Sequence, residues 1–239
     1  MKRISITTLE TYRKFLAGDE WTDQEAMISA ITAPFEGNEY TRIGSAFHAI
    51  VEQGESIVEE LEEMGKFRVT VKDELKKGET KPKEWPVIFN EEQIAMALKY
   101  RAKLPYAFHE EWIGREFHTP SMDIWVHGRV DVLHGTFIRD IKTKYSPVKY
   151  ADYAESAQWK FYLDLSGLDT FYFDLFEFPG YKKDKHGYDV SSLGIKPYGQ
   201  IECIRYNGME EENNQLVCDF TDFITRQNLT NYLKDKEGI

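Results

Sequence analysis

The sequence predicts a mixed α/β fold: a central β-sheet with helices on its faces and a largely helical N-terminal portion. Three observations carry this. Apolar residues recur at helical spacing in the first hundred residues. Three short strands follow one another between 110 and 143. A helix, two further strands and a long closing helix then complete the 239 residues. Helices interleaved with strands in this order cover both faces of a sheet.

Thr7 and Glu10 form a capping-box pattern before a short helix through Phe15, and Thr22 with Glu25 form another before Met27. A loop with Pro34 and Gly37 leads to a longer helix over 41–64. Its apolar residues Ile43, Phe47, Ile50, Val51, Ile57, Val58 and Leu61 repeat at helical spacing, and Gly54 bends or divides it. Residues 65–90 are charged, contain Gly78, Pro82 and Pro86, and read as an irregular surface excursion. Asn90 caps a helix over 91–103 that Pro105 cannot continue. Strands are predicted over 110–118, 122–134 and 137–143, then a helix over 150–165 ended by Gly167. An apolar strand over 170–178 pairs with one over 198–206, across a polar loop at 179–197. A helix over 209–232 and a frayed tail close the chain. The expected organisation is one domain, with 1–105 mainly helical and 106–239 forming the sheet core and closing helix.

No apolar run reaches the length of a bilayer span, and the first residues lack a signal-peptide core, so a soluble cytoplasmic protein is expected. Cys203 and Cys218 are too few for an iron–sulfur cluster or a four-Cys zinc site. The net charge of −11 argues against a surface that coats nucleic acid indiscriminately. Basic residues nevertheless gather at Arg139, Lys142, Lys144 and Lys149, and again at Lys182, Lys183 and Lys185, which leaves room for a local basic groove.

The chemistry concentrates in residues 128–142. A two-residue loop, Gly135-Thr136, fits a type II′ hairpin turn, which wants Gly first. Counting back places Leu133 opposite Ile138 and Asp131 opposite Asp140. Opposed carboxylates repel unless a cation lies between them. Lys142 shares the face of Asp140 because side chains repeat every second residue. A divalent metal with an amine beside it satisfies this pattern; so does a surface ion pair of Asp140 with Lys142, and the hairpin alone does not separate the two.

Other residues add to the candidate set. His48 lies on the 41–64 helix behind Gly44, Ser45 and Ala46, small residues that permit close approach of another backbone. Its imidazole suits Mn²⁺, although a lone histidine is more often packed or exposed than a ligand. Gln158 and Tyr162 share one helix face and could orient a phosphate or a water, or simply pack and hydrate. Glu116, on the strand before the hairpin, could supply an acid for a second metal, with Glu110 and Glu111 as competitors.

In order, the opening Ile4 to Tyr12, Gly44-x-x-x-His48, Gly128-Arg129-Val130-Asp131, Asp140-Ile141-Lys142 and Gln158-x-x-x-Tyr162 resemble the RecB-like, phage-type exonuclease branch of the PD-(D/E)XK nuclease superfamily. The resemblance implies a restriction-endonuclease-like core and a Mg²⁺- or Mn²⁺-dependent deoxyribonuclease, most simply an exonuclease acting on DNA ends in recombination or repair. It implies that His48, Asp131, Asp140 and the Ile141 carbonyl ligate the metal. Lys142 would position or deprotonate water, and Gln158, Tyr162 and Lys144 would meet substrate. No iron–sulfur cluster is implied. DNA is the expected partner, and by analogy a single-strand annealing recombination protein. The alternatives are a non-catalytic DNA-binding or assembly module of the same fold, a structure-specific endonuclease, or an unrelated metal hydrolase using His48 and the same Asp pair.

Overall fold

A two-residue turn fixes the register at the centre of the sheet. In the computed structural model, which describes residues 1–18, 22–33, 36–73 and 80–236, Gly135 takes φ +62° while Thr136 does not enter the left-handed region. The turn joins β6 (Asp123–His134) to β7 (Phe137–Lys144), and His134 pairs with Phe137, Leu133 with Ile138 and Val132 with Arg139. This is the register that the turn chemistry predicts. The ladder stops there, one pair short of Asp131 and Asp140.

The reason lies in the other neighbours of β6. Antiparallel β5 (Phe108–His118) follows one edge of β6 from Asp123 to Leu133. The opposite edge is shared. Parallel β1 (Lys2–Ser5) takes residues Ile124 to His127, and β7 takes Val132 to His134. Residues 128–131 thus have no ladder partner on that edge, and β7 diverges from β6 to pair in parallel with β8 (Thr170–Glu177). Antiparallel β9 (Lys196–Ile204) completes the mixed sheet.

Helices cover both faces. On one side lie α1 (Ile6–Leu16), α2 (Gln24–Thr32), α6 (Ala157–Ser166) and α8 (Met209–Arg226), whose Leu9, Tyr12, Met27, Phe161, Val217 and Phe220 are buried with Ile124, Val126, Phe171 and Phe173 of the sheet. On the other lie α3 (Glu39–Gln53) and α4 (Glu91–Ala102), with Ile43, Phe47, Ile50 and Ala97 against Val132, Ile141 and Phe176. Short helices α5 (Tyr150–Ala154) and α7 (Lys183–His186) lie in the connections either side of β8. The β7–α5–α6–β8 crossover is the connection that parallel strands require.

Local signals explain the boundaries. Asn38 with Thr41, and Asn90 with Gln93, form capping boxes at α3 and α4. Gly167 ends α6 with φ +71°. Several expectations need correction. Ser5, not Thr7, caps α1, and Asp23, not Thr22, caps α2. Gly54, at φ +74°, terminates α3, so the helix over 41–64 ends about ten residues early in a 3₁₀ turn, Gly54–Ile57. Ser156 divides the helix over 150–165 into α5 and α6, and the last helix ends at Arg226.

The described residues of the 65–90 stretch are not irregular. Within them β3 (Lys66–Lys72) and β4 (Glu84–Asn90) pair antiparallel and, with short β2 (Glu59–Glu60), form a second sheet whose Val69, Val87 and Phe89 are fully buried against α3 and α4. Among the described residues the N-terminal portion therefore holds four α-helices and four strands. The expected punctuation at Pro34 and Gly78 and the end of the tail at 237–239 lie outside the described residues. No helix among the described residues is long and apolar enough to cross a membrane.

Gly128 sits where β6 has no ladder partner on the edge shared by β1 and β7. A Cβ there would lie 2.7 Å from both Ile6 Cδ1 and the ring of Tyr162. Gly128→Ala is expected to lower stability by about 1–3 kcal/mol in urea unfolding. Gly194→Ala, which meets open space, should stay within about 0.5 kcal/mol of the parent.

Candidate active site

Where β6 and β7 part, side chains take over from the backbone ladder. The Ile141 N–H donates to Asp131 Oδ2 at 2.8 Å, so the carboxylate bridges the gap that the strands leave. On α3, His48 reaches the same point. Its Nε2 stands 2.7 Å from the Ile141 carbonyl oxygen, and its Nδ1 is 3.5 Å from Asp131 Oδ2. Gly44, one turn earlier on α3, makes this approach possible, because a Cβ there would lie 2.9 Å from Thr143 Oγ1.

Asp140 is 3% exposed, which makes its partners decisive. Lys142 Nζ donates to Oδ1 at 2.9 Å, and so does Gln158 Nε2 at 2.9 Å. Oδ2 lies 2.7 Å from Lys142 Nζ yet receives no well-aligned hydrogen bond and is buried. Burial, opposed by Lys142 and reinforced by Asp131, pushes the Asp140 carboxyl up from 3.8 to about 6. For Lys142 burial acts downward, but the Asp140 and Asp131 carboxylates outweigh it and hold the ammonium above the ordinary lysine value.

One further acid joins the site. Glu110 on β5 has φ +58°, and the ladder skips it between the His109–Val132 and Glu111–Val130 pairs. Its carboxylate meets Arg129 Nε at 2.6 Å, and burial raises its pKa above the usual carboxylate range. Ligand atoms of His48, Glu110 and Asp131 all lie within 4.8 Å of one another. The donor set, one imidazole nitrogen and two carboxylates beside a backbone carbonyl and an unbonded buried carboxylate oxygen, fits a divalent cation such as Mg²⁺ or Mn²⁺.

The structure thus brings His48, Asp131, Asp140, Ile141, Lys142 and Gln158 together. Asp131 and Asp140 do so without the ladder pairing the sequence suggests, and Asp140 stands outside the tight group of His48, Glu110 and Asp131. Glu116 is elsewhere: it faces Trp125 across the ladder and groups with exposed His118 and Asp123 near the far end of β5. The acid beside the site is Glu110, one of the two competitors. Tyr162 is buried, and its hydroxyl donates to the Arg129 carbonyl at 2.8 Å, so it braces the unpaired edge of β6. Lys144 points along the neighbouring cleft, with its ammonium 5.5 Å from the Tyr153 ring centroid. That cleft, of about 630 Å³, is also lined by Lys142, Arg13, Lys14 and Lys149.

The PD-(D/E)XK nuclease superfamily matches residues 3–175, most of the chain and all of this site. The chain belongs to that superfamily. Its nucleases act on DNA with divalent metals, and the restriction-endonuclease-like sheet seen here is their fold. No curated protein matches the sequence significantly. Among solved structures, SSO0001 is similar at 15% identity, over 94% of this chain and 76% of that one, with a TM-score of 0.46. A phage related exonuclease from Haemophilus somnus 129PT is similar at 14% identity, over 94% and 96%, also with a TM-score of 0.46.

A pH dependence follows. The folded pKa of Asp140 lies above its ordinary value, so its contribution to metal-free stability is present below about 3.8 and is lost as pH rises through about 6. A cation favours the ionised carboxylate instead. The rise in Tm produced by Mn²⁺ is therefore expected to grow from about pH 5 to about pH 8, as scanning calorimetry would register, and to vanish in Asp131→Asn.

Proposed function

We propose that this protein is a metal-dependent deoxyribonuclease that hydrolyses phosphodiester bonds as an exonuclease at DNA ends, in recombination or repair. The observation that carries the reading is the convergence of His48, Asp131, Asp140 and Lys142 on the parted end of β6 and β7. An ion pair serving stability alone needs neither the imidazole nor the unbonded Asp140 oxygen. The exonuclease mode rests on the motif order that the chain shares with the phage-type branch.

In this reading His48, Asp131, Asp140 and the Ile141 carbonyl hold Mg²⁺ or Mn²⁺, with Glu110 as a further ligand. The ion, when bound, makes water a better nucleophile at neutral pH and offsets charge on the phosphate. Lys142, kept protonated by its two carboxylates, supplies hydrogen bonds and positive charge where negative charge develops, so it positions water in preference to deprotonating it. Gln158 holds the Asp140 carboxylate in place through Oδ1. Tyr162 supports β6 behind Asp131 by donating to the Arg129 carbonyl. Lys144, Lys14 and Lys149 present cations to the phosphates of a bound strand.

Digestion of end-labelled linear duplex and closed circular duplex in Mg²⁺ tests this. Loss of linear DNA only is the expected outcome. Nicking of circles would replace the exonuclease mode with an endonuclease, and binding without cleavage would leave a non-catalytic module. Asp131→Asn and Lys142→Ala should each lower turnover about 100-fold or more with the circular dichroism spectrum unchanged. Parent-like rates in either variant overturn the roles given. Glu110→Gln is expected to raise the Mg²⁺ concentration needed for half-maximal rate, whereas Glu116→Gln should leave that titration within about twofold of the parent, given its distance from the other ligands.

A further inference from the structure

On the α3 side of β7 lies a second cleft, of about 590 Å³. Its inner end is formed by His48, Ile141 and Lys142, and its outer end by Tyr40, Tyr145 and Tyr181. The three tyrosine rings touch one another, with centroids 4.9–5.3 Å apart. Two of them are fixed by their hydroxyls. Tyr145 donates to the Tyr40 carbonyl at 3.2 Å and Tyr181 to the Gly187 carbonyl at 2.9 Å, and Tyr145 also stacks on buried Phe178.

Tyr40 differs. It is 39% exposed, and its hydroxyl has no hydrogen-bond partner among the described residues. Packing accounts for Tyr145 and Tyr181 but leaves more than a third of Tyr40 exposed. Tyr40, Gly44 and His48 are spaced by four, so they form one stripe along α3. Gly44 puts no side chain between the other two. Thr143 packs against Gly44, and Tyr40 and His48 line the same cleft on either side of it, about 12 Å apart along the helix axis.

We propose that this cleft binds an unpaired nucleobase of the DNA strand being cut, stacked on Tyr40. The proposal rests on the nuclease reading and adds its substrate class. Every base offers a flat π-face to an aromatic ring, so such a platform tolerates any sequence. In an intact duplex both faces of each internal base are already stacked on neighbours, and the ring gains nothing from them. The platform thus selects strands whose bases are free near the scissile phosphate: single-stranded ends, overhangs or frayed termini. The flanking cleft, across the Lys142–Lys144 ridge, carries the lysines and arginine suited to phosphates. One strand passing over that ridge meets charge on one side and aromatic faces on the other.

The test measures binding without turnover, using the full chain in excess EDTA. Fluorescence anisotropy compares a short dye-labelled DNA single strand with a blunt duplex of the same sequence. Tyr40→Ala is expected to weaken single-strand binding about 5- to 100-fold and blunt-duplex binding less than about twofold, while Tyr40→Trp restores the single-strand affinity because indole is also a stacking surface. Unchanged single-strand binding by Tyr40→Ala overturns the proposal, as does an equal loss on both probes or failure of Tyr40→Trp to restore it. Cleavage of the same probes by the parent in Mg²⁺ is scored separately. Tyr40-dependent binding without cleavage sinks the nuclease reading and leaves this site standing; cleavage with no Tyr40 dependence does the reverse.

Discussion

The hydrogen bond from the Ile141 N–H to the Asp131 carboxylate is the contact on which the site depends. A β-hairpin that zipped fully would satisfy that N–H with a backbone carbonyl and press Asp131 and Asp140 together as a cross-strand pair, which repulsion disfavours. Because β1 and β7 share one edge of β6, four residues of β6 are left without a ladder partner on that edge. A buried N–H needs an acceptor, and Asp131 provides it. The same carboxylate is then fixed beside His48, with little rotamer freedom left to lose on meeting a cation. Backbone accounting and site geometry are one problem with one solution.

The charges around that bond are arranged so that each holds another in place. Asp140 is buried, and Lys142 and Gln158 both grip one of its oxygens and leave the other without an aligned donor. Buried polar atoms without partners are uncommon and call for a reason. Here the oxygen without an aligned donor lies 2.7 Å from the Lys142 ammonium, and Asp131 and His48 act on the same carboxyl electrostatically. Lys142 in turn is kept charged by the acids, so neither member of the pair can be replaced without leaving the other exposed to the full cost of burial.

Much of this was legible because the signals are local. Gly135-Thr136 dictates a turn, the turn dictates a register, and the register brings Asp131 toward Asp140. The motif order located His48 and Gln158, although spacing alone could not place their helices. Other features were hidden for physical reasons. β3 and β4 alternate, with Val69 and Val71 on one strand and Val87 and Phe89 on the other, but Pro86 and the surrounding charges masked the pattern. β4 tolerates Pro86 because it is an edge strand. The glutamates after Gly54 favour helix by propensity, yet the glycine's left-handed turn overrides them. Glu110 could have been found by the count used for the hairpin: pairing His118 with Asp123 across the 119–122 turn puts residue 110 opposite residue 131. Glu116 was preferred to Glu110 because nothing in the sequence marks which end of a strand meets a distant helix.

The backbone at Glu110 holds one more lesson. A glutamate in the left-handed region is strained by roughly 1–3 kcal/mol, and glycine or asparagine would sit there with less cost. Evolution toward heat resistance alone would favour such replacements, and each would strip a carboxylate from beside His48 and Asp131. Durability and chemistry pull in opposite directions at this one residue, so a laboratory selection that rewards only survival of the fold would be expected to drift toward a sturdier and emptier molecule.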